Sequence, residues 1–175
     1  MIMTLFERLI EKDDPYFIYH NSYSESMKLD SVANFLNERR NKLNNNIKLV
    51  IFDLDDTLIR EDCCARVFQE TKMILDYLSS KYILAIASYN RYADWFLESN
   101  NILHYFDTVI SYNSESKQGH MEQLLDKYDI NKNECIFFDN DINNINDIND
   151  YGIKSLLVDE ETGITSLSLF DANLL

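Results

Sequence analysis

From Lys48 onward, short apolar runs alternate with stretches whose apolar residues recur at helical spacing. The runs cover 48–53 (KLVIFD), 82–88 (YILAIAS), 108–111 (TVIS), 134–139 (ECIFFD) and 154–159 (KSLLVD). They lack polar alternation, which is the pattern of strands covered on both faces. Between them Val67, Phe68, Ile74, Leu75 and Leu78 share one helical face. The same spacing groups Tyr92, Trp95 and Phe96, then Met121, Leu124, Leu125 and Tyr128, then Ile142, Ile145 and Ile148. Strand–helix alternation of this kind predicts an α/β domain over residues 47–175, a doubly wound (Rossmann-like) parallel sheet flanked by helices.

Residues 1–46 read differently. Leu5, Phe6, Leu9 and Ile10 form one apolar stripe and Val32, Phe35, Leu36 and Leu43 another, with a loop-like polar stretch between them. This predicts a small helical N-terminal extension, without assignable chemistry, that either packs on the main domain or recruits a protein partner.

Composition narrows the chemistry. Three widely spaced glycines, Gly119, Gly152 and Gly163, cannot form a glycine-rich phosphate loop or a dinucleotide fingerprint. Thirty acidic against sixteen basic residues give a net charge of −14, which disfavours nucleic acid and anionic membrane surfaces and favours bound cations. Cys63, Cys64 and Cys135 have neither disulfide-framework nor zinc-site spacing. With no secretory signal and no apolar run long enough to span a membrane, a cytoplasmic location is expected.

In a doubly wound sheet the ligand site lies beyond the carboxyl ends of the strands. Those ends carry Asp53-Leu54-Asp55-Asp56-Thr57, Ser88-Tyr89-Asn90 and Asp139-Asn140-Asp141, and Lys117 stands before the helix that feeds the fourth strand. Two carboxylate clusters with a hydroxyl and an ammonium suit joint binding of Mg²⁺ and a phosphate: oxygen ligands for a hard cation, fixed donors for an anion.

The DLDDT stretch after an apolar strand resembles motif I of the haloacid dehalogenase-like (HAD) hydrolases. Ser88 resembles motif II, Lys117 motif III and FFDND motif IV, with gaps of 35, 29 and 22 residues that suit the family. The segment with Asn144-Ile145 is similar to that of the magnesium-dependent phosphatases, and the intervals after the first two strands are too short for an inserted cap domain.

The resemblance implies a Mg²⁺-dependent phosphomonoester hydrolase acting through an aspartyl-phosphate on Asp53, with Asp55 as acid–base. It implies that the N–H groups of Leu54, Asp55 and Tyr89 and the Ser88 hydroxyl receive phosphate oxygens, that Thr57 hydrogen-bonds the Asp53 turn, and that Lys117 neutralises Asp53 and phosphate. Asp53, Asp139 and the Asp55 carbonyl would hold Mg²⁺, with Asn140 in the place of the usual second acid. Capless relatives point to a phosphoprotein or a small phosphorylated metabolite as substrate. Asn140 and the N-terminal extension motivate the alternative, a catalytically weak relative acting as a partner-binding module. His20, His104 and His120 are read as structural, Cys63 and Cys64 as small, partly buried residues of a flap, and Asp56 as solvated.

Overall fold

The computed structural model describes residues 46–62, 64–112 and 116–175. The predicted helical extension therefore lies outside the described residues except for Asn46, as do His20 and Cys63. Five strands form one sheet: β1 (Leu49–Phe52), β2 (Ile83–Ser88), β3 (Thr108–Ser111), β4 (Cys135–Asp139) and β5 (Lys154–Leu157). Their order is β3-β2-β1-β4-β5, and every neighbouring pair is parallel. The helices are α1 (Thr71–Ser79), α2 (Ala93–Ser99), α3 (Lys117–Tyr128), α4 (Ile142–Tyr151) and α5 (Ser166–Ala172). All five strands fall within the predicted runs.

The sequence pattern and the packing agree best at the centre. Every residue of β1 and β4 is buried, because helices cover both faces there. Leu49, Ile51, Ala85 and Phe137 of the sheet pack with Met121 and Leu124 of α3 and Ile148 of α4. Phe52 stacks on Phe138 with ring centroids 5.4 Å apart, and Ile74, Leu75 and Leu78 form the buried face of α1. Two-sided burial fails at β5, where Lys154 and Leu157 are exposed, since an edge strand has no neighbour to extend its cover.

Three helical faces differ from expectation. Val67 and Phe68 precede α1 and belong to a flap in which Ile59 pairs antiparallel with Val67 and the Phe68 N–H donates to the Leu58 carbonyl at 3.2 Å. In α2 the buried residues are Ala93 and Leu97, while Trp95 is 62% exposed; so short a helix offers the sheet a single i, i+4 pair. Ile142 opens α4 above the strand ends and is exposed, leaving Ile145 and Ile148 as the buried face.

Between β1 and α1 the chain makes only a turn and the flap, and between β2 and β3 only α2 and a 3₁₀ turn at Leu103–Tyr105. Neither interval holds a cap domain. No helix among the described residues is long and apolar enough to cross a membrane. Asn45–Ser168 form one compact unit that contains the whole sheet, and Leu169–Leu175 are assigned to another.

The flap leans on a glycine. Gly163 has φ +64°, and a Cβ there would lie 2.2 Å from Cδ2 of Phe68. Gly163→Ala combines left-handed backbone with overpacking, so a loss of about 2–4 kcal/mol in urea unfolding is expected. A loss below about 0.5 kcal/mol would mean that the flap gives way without cost.

Candidate active site

The sheet order reverses between β1 and β4, the place where an open α/β sheet forms its crevice. Phe52 and Phe138 are register partners, so Asp53 and Asp139 leave adjacent strands side by side. The Asp53 N–H donates to the Phe138 carbonyl at 2.8 Å, the last rung before the chains separate. On the other flank Phe52 pairs with Ile86, and Ser88 ends β2 two residues further on.

Lys117 joins these ends. It is the first residue of α3, whose start is fixed by the Ser116 side chain accepting from the Gly119 N–H at 3.2 Å. Lys117 is only 3% exposed. Its ammonium donates to Asp53 Oδ1 and to the Ala87 carbonyl at 2.6 Å, and lies 3.5 Å from Asp139 Oδ2. The Tyr89 ring covers it, with the centroid 4.9 Å from Nζ.

One buried ammonium thus faces two buried carboxylates. Burial pushes the Asp53 carboxyl up to about 7, with Lys117 pulling it down and Asp139 and Asp55 adding to the rise. Burial also raises Asp139, against Lys117 and hydrogen bonds from the Asp141 N–H at 2.8 Å and Asn144 Nδ2 at 2.9 Å. The pair is short of positive charge, a condition that a further cation relieves. Among the described residues no group of three or more His, Cys, Asp or Glu side chains converges as a metal cluster.

Asp55 stands apart from the ion pair. It is half-buried and raised by burial, which hydrogen bonds from Asn90 oppose. Asn90 Nδ2 lies 3.0 Å from Oδ1 and 3.1 Å from Oδ2. Between the two acids the backbone turns tightly. The Leu54 carbonyl accepts from the N–H groups of Thr57, Leu58 and Ile59 at 3.4, 3.0 and 3.1 Å. Asp56 takes φ +50° and accepts from the Glu61 N–H at 2.8 Å, so it holds the flap rather than sitting free in solvent. The N–H groups of Leu54, Asp55 and Tyr89 engage no acceptor among the described residues.

The remaining predicted residues divide. Ser88 is buried, and its Oγ accepts from the Asn90 N–H at 3.0 Å. Thr57 is buried too, but its hydroxyl meets no partner among the described residues. Thr57 bonds the Asp53 turn through its N–H, which donates to the Leu54 carbonyl at 3.4 Å, and not through its hydroxyl; its carbonyl accepts from the Ile164 N–H at 2.8 Å. Asn140 is half-buried beside Asp139. Asp141 is exposed and caps α4 by accepting from the Asn143 N–H at 2.8 Å, so it does not stand in for the missing acid. Cys64 is exposed rather than partly buried.

His120 is wholly buried against Tyr89, with centroids 5.5 Å apart. Neither ring nitrogen has a partner among the described residues, and burial followed by the charge of Lys117 lowers it to about 4. Reasoning from sequence missed Asn90, Asn144 and the Ala87 carbonyl. Asn90 follows the strand-end serine by two residues and Asn144 lies in the first turn of α4, so position was the available signal.

The family described as Acid Phosphatase matches residues 60–174, more than half of the chain. The matched stretch takes in Ser88, Lys117 and Asp139 and begins after Asp55. A comparison with curated proteins finds no match. Among solved structures, a haloacid dehalogenase-like hydrolase from Streptococcus pneumoniae is similar at TM-score 0.59 and 16% identity, covering 74% of this chain and 90% of that one. A HAD-superfamily hydrolase from Geobacter sulfurreducens is similar at TM-score 0.57 and 13% identity, covering 64% and 89%. The N-terminal part of a Bacteroides fragilis protein, containing a phosphatase domain complexed with Mg, is similar at TM-score 0.58 and 18% identity, covering 73% and 40%.

The charge shortage has a measurable sign. A carboxyl raised from 3.8 to about 7 in the folded state stabilises the fold fully below 3.8, and that contribution is lost as pH rises towards 7. In EDTA, Asp53→Asn is therefore expected to gain urea stability relative to the parent between pH 5 and pH 8. A difference that stays constant over that window would contradict the assignment.

Proposed function

The chain belongs to the acid phosphatase family, and on that premise, with the fold it shares with haloacid dehalogenase-like hydrolases in support, we propose that it is a Mg²⁺-dependent phosphomonoester hydrolase acting through an aspartyl-phosphate on Asp53. The observation that carries this reading is the Lys117 ammonium shared between the buried carboxylates of Asp53 and Asp139 at the sheet's switch point.

The residues suit the metal. Mg²⁺ is commonly held by one or two carboxylates and keeps several waters, and Asp53 and Asp139 are two buried carboxylates with one ammonium between them. They would hold the ion together with the Asp55 carbonyl, with Asn140 reaching it through a water. Bound there, Mg²⁺ supplies positive charge that keeps Asp53 ionised and offsets its repulsion with phosphate.

The chain's own groups account for the rest. The unengaged N–H groups of Leu54, Asp55 and Tyr89 and the Ser88 hydroxyl receive the phosphoryl oxygens, in the way fixed backbone donors stabilise developing charge. Asp53 Oδ forms a bond to phosphorus as the P–O bond to the leaving group breaks, and the proton on Asp55 passes to that oxygen. Water then attacks phosphorus, the Asp53–phosphate bond breaks, and the proton of the water passes to Asp55. Burial of Asp55 favours the protonated form that the first half needs. Lys117 balances the charge on Asp53 throughout.

With no cap over the crevice among the described residues, the substrate is a phosphoprotein or a small phosphorylated metabolite. The net charge of −14 disfavours nucleic acid. Residues 1–46 are assigned to a separate extension suited to a protein partner, and the location to the cytoplasm.

The test is hydrolysis of p-nitrophenyl phosphate. Turnover is expected with Mg²⁺, is abolished by EDTA, and falls by at least about 10³-fold in Asp53→Asn, as loss of a nucleophile does. Activity untouched by both EDTA and the substitution overturns the mechanism. No turnover on any phosphoester favours a partner-binding module, the role that Asn140 in the second acid's place leaves open.

A further inference from the structure

We propose that Asn90 is a positioning residue that holds the Asp55 carboxyl group where it serves the leaving oxygen, an inference that rests on the phosphatase reading of Asp55. Among the described residues, the Asp55 carboxylate receives side-chain hydrogen bonds from Asn90 alone. It has no ion-pair partner there, because the one buried ammonium is taken by Asp53, Asp139 and the Ala87 carbonyl. Nothing near Asp55 in the chain replaces this contact. Asn90 lies 35 residues away, in the loop between β2 and α2.

The orientation of the amide is set by its surroundings. Asn90 Oδ1 accepts from the Tyr92 N–H at 3.0 Å at the entrance to α2, which turns Nδ2 towards Asp55. The Asn90 N–H occupies Ser88 Oγ as an acceptor, leaving the Ser88 hydroxyl hydrogen for an incoming phosphoryl oxygen. One residue thus couples the phosphate-binding hydroxyl to the acid–base carboxyl. When Asp55 is protonated, Nδ2 still donates to its carbonyl oxygen, and the O–H is free to face the leaving group. A small misplacement of such a group is costly, since a shift of about 1 Å can cost about 10²-fold in rate.

Proton donation matters most when the leaving group is poor. p-Nitrophenolate departs readily without a proton, whereas an alkoxide does not. The experiment compares kcat and KM of the parent, Asn90→Ala and Asn90→Asp, with Mg²⁺, on p-nitrophenyl phosphate and on glycerol 2-phosphate. Asn90→Asp keeps an oxygen for the Tyr92 N–H but sets a carboxylate against Asp55. Both variants are expected to lose at least about tenfold more kcat on glycerol 2-phosphate than on p-nitrophenyl phosphate, with KM changed less than about threefold. Asn90→Asp should keep the parent's thermal midpoint, which shows that the loss is not one of folding.

Equal losses on the two substrates, or an Asn90→Asp variant that matches the parent, overturn the proposal and leave Asn90 a residue of the turn that leads into α2. Asp53→Asn is the control. If it is inactive on both substrates, the phosphatase reading stands whatever the Asn90 variants do. If it retains activity, that reading and this inference fall together.

Discussion

The structure depends on a buried ammonium set between two buried carboxylates. Lys117 bridges Asp53 and Asp139, and those acids continue the two most buried strands of the sheet. Ion pairs in such a place are costly to desolvate and add little to stability over an apolar core. At the carboxyl ends of β1 and β4 the cluster is therefore a cost to the fold. It is tolerated because the remaining lone pairs of Asp139 are met by Asp141 and Asn144 and the remaining ammonium hydrogen by the Ala87 carbonyl. The arrangement is one positive charge short of neutrality: burial raises both carboxyls, and the single ammonium of Lys117 opposes that rise.

Around this centre the chain builds a tight turn without glycine. The turn after β1 gathers three N–H groups onto the Leu54 carbonyl, and the N–H groups of Leu54 and Asp55 engage no acceptor among the described residues. Asp56 supplies the left-handed residue that glycine would ordinarily provide. Asp and Asn tolerate that conformation because their short side chains bond locally, as Asp56 does with the Glu61 N–H. Asn101 and Asp129 take the same conformation elsewhere. In a chain with three glycines, Gly152 and Gly163 take left-handed positions, and Asp and Asn fill most of the others among the described residues.

The strands were legible because a buried parallel strand is a short apolar run whatever surrounds it, and all five appear where the runs lie. Burial at the margins was less legible. Val67 and Phe68 fit the helical period of α1 and yet belong to the flap, since periodicity carries no information about where a turn ends. Tyr92 and Trp95 fit a helical face and yet face solvent, because the sheet covers only Ala93 and Leu97 of α2.

The amino-acid sequence by itself determined the α/β class, the family, the strand ends on which Asp53, Asp55, Ser88 and Asp139 lie, and the helix start that carries Lys117. Apolar period and the order of polar residues at strand ends are local properties, readable without coordinates. Only the tertiary structure decided that Asn90 faces Asp55, that Asn144 faces Asp139, and that the Thr57 hydroxyl bonds neither the Asp53 turn nor any other described group. Those contacts join residues on different loops. Which amide meets which carboxylate follows from strand register and helix entry, which no stretch of sequence encodes alone.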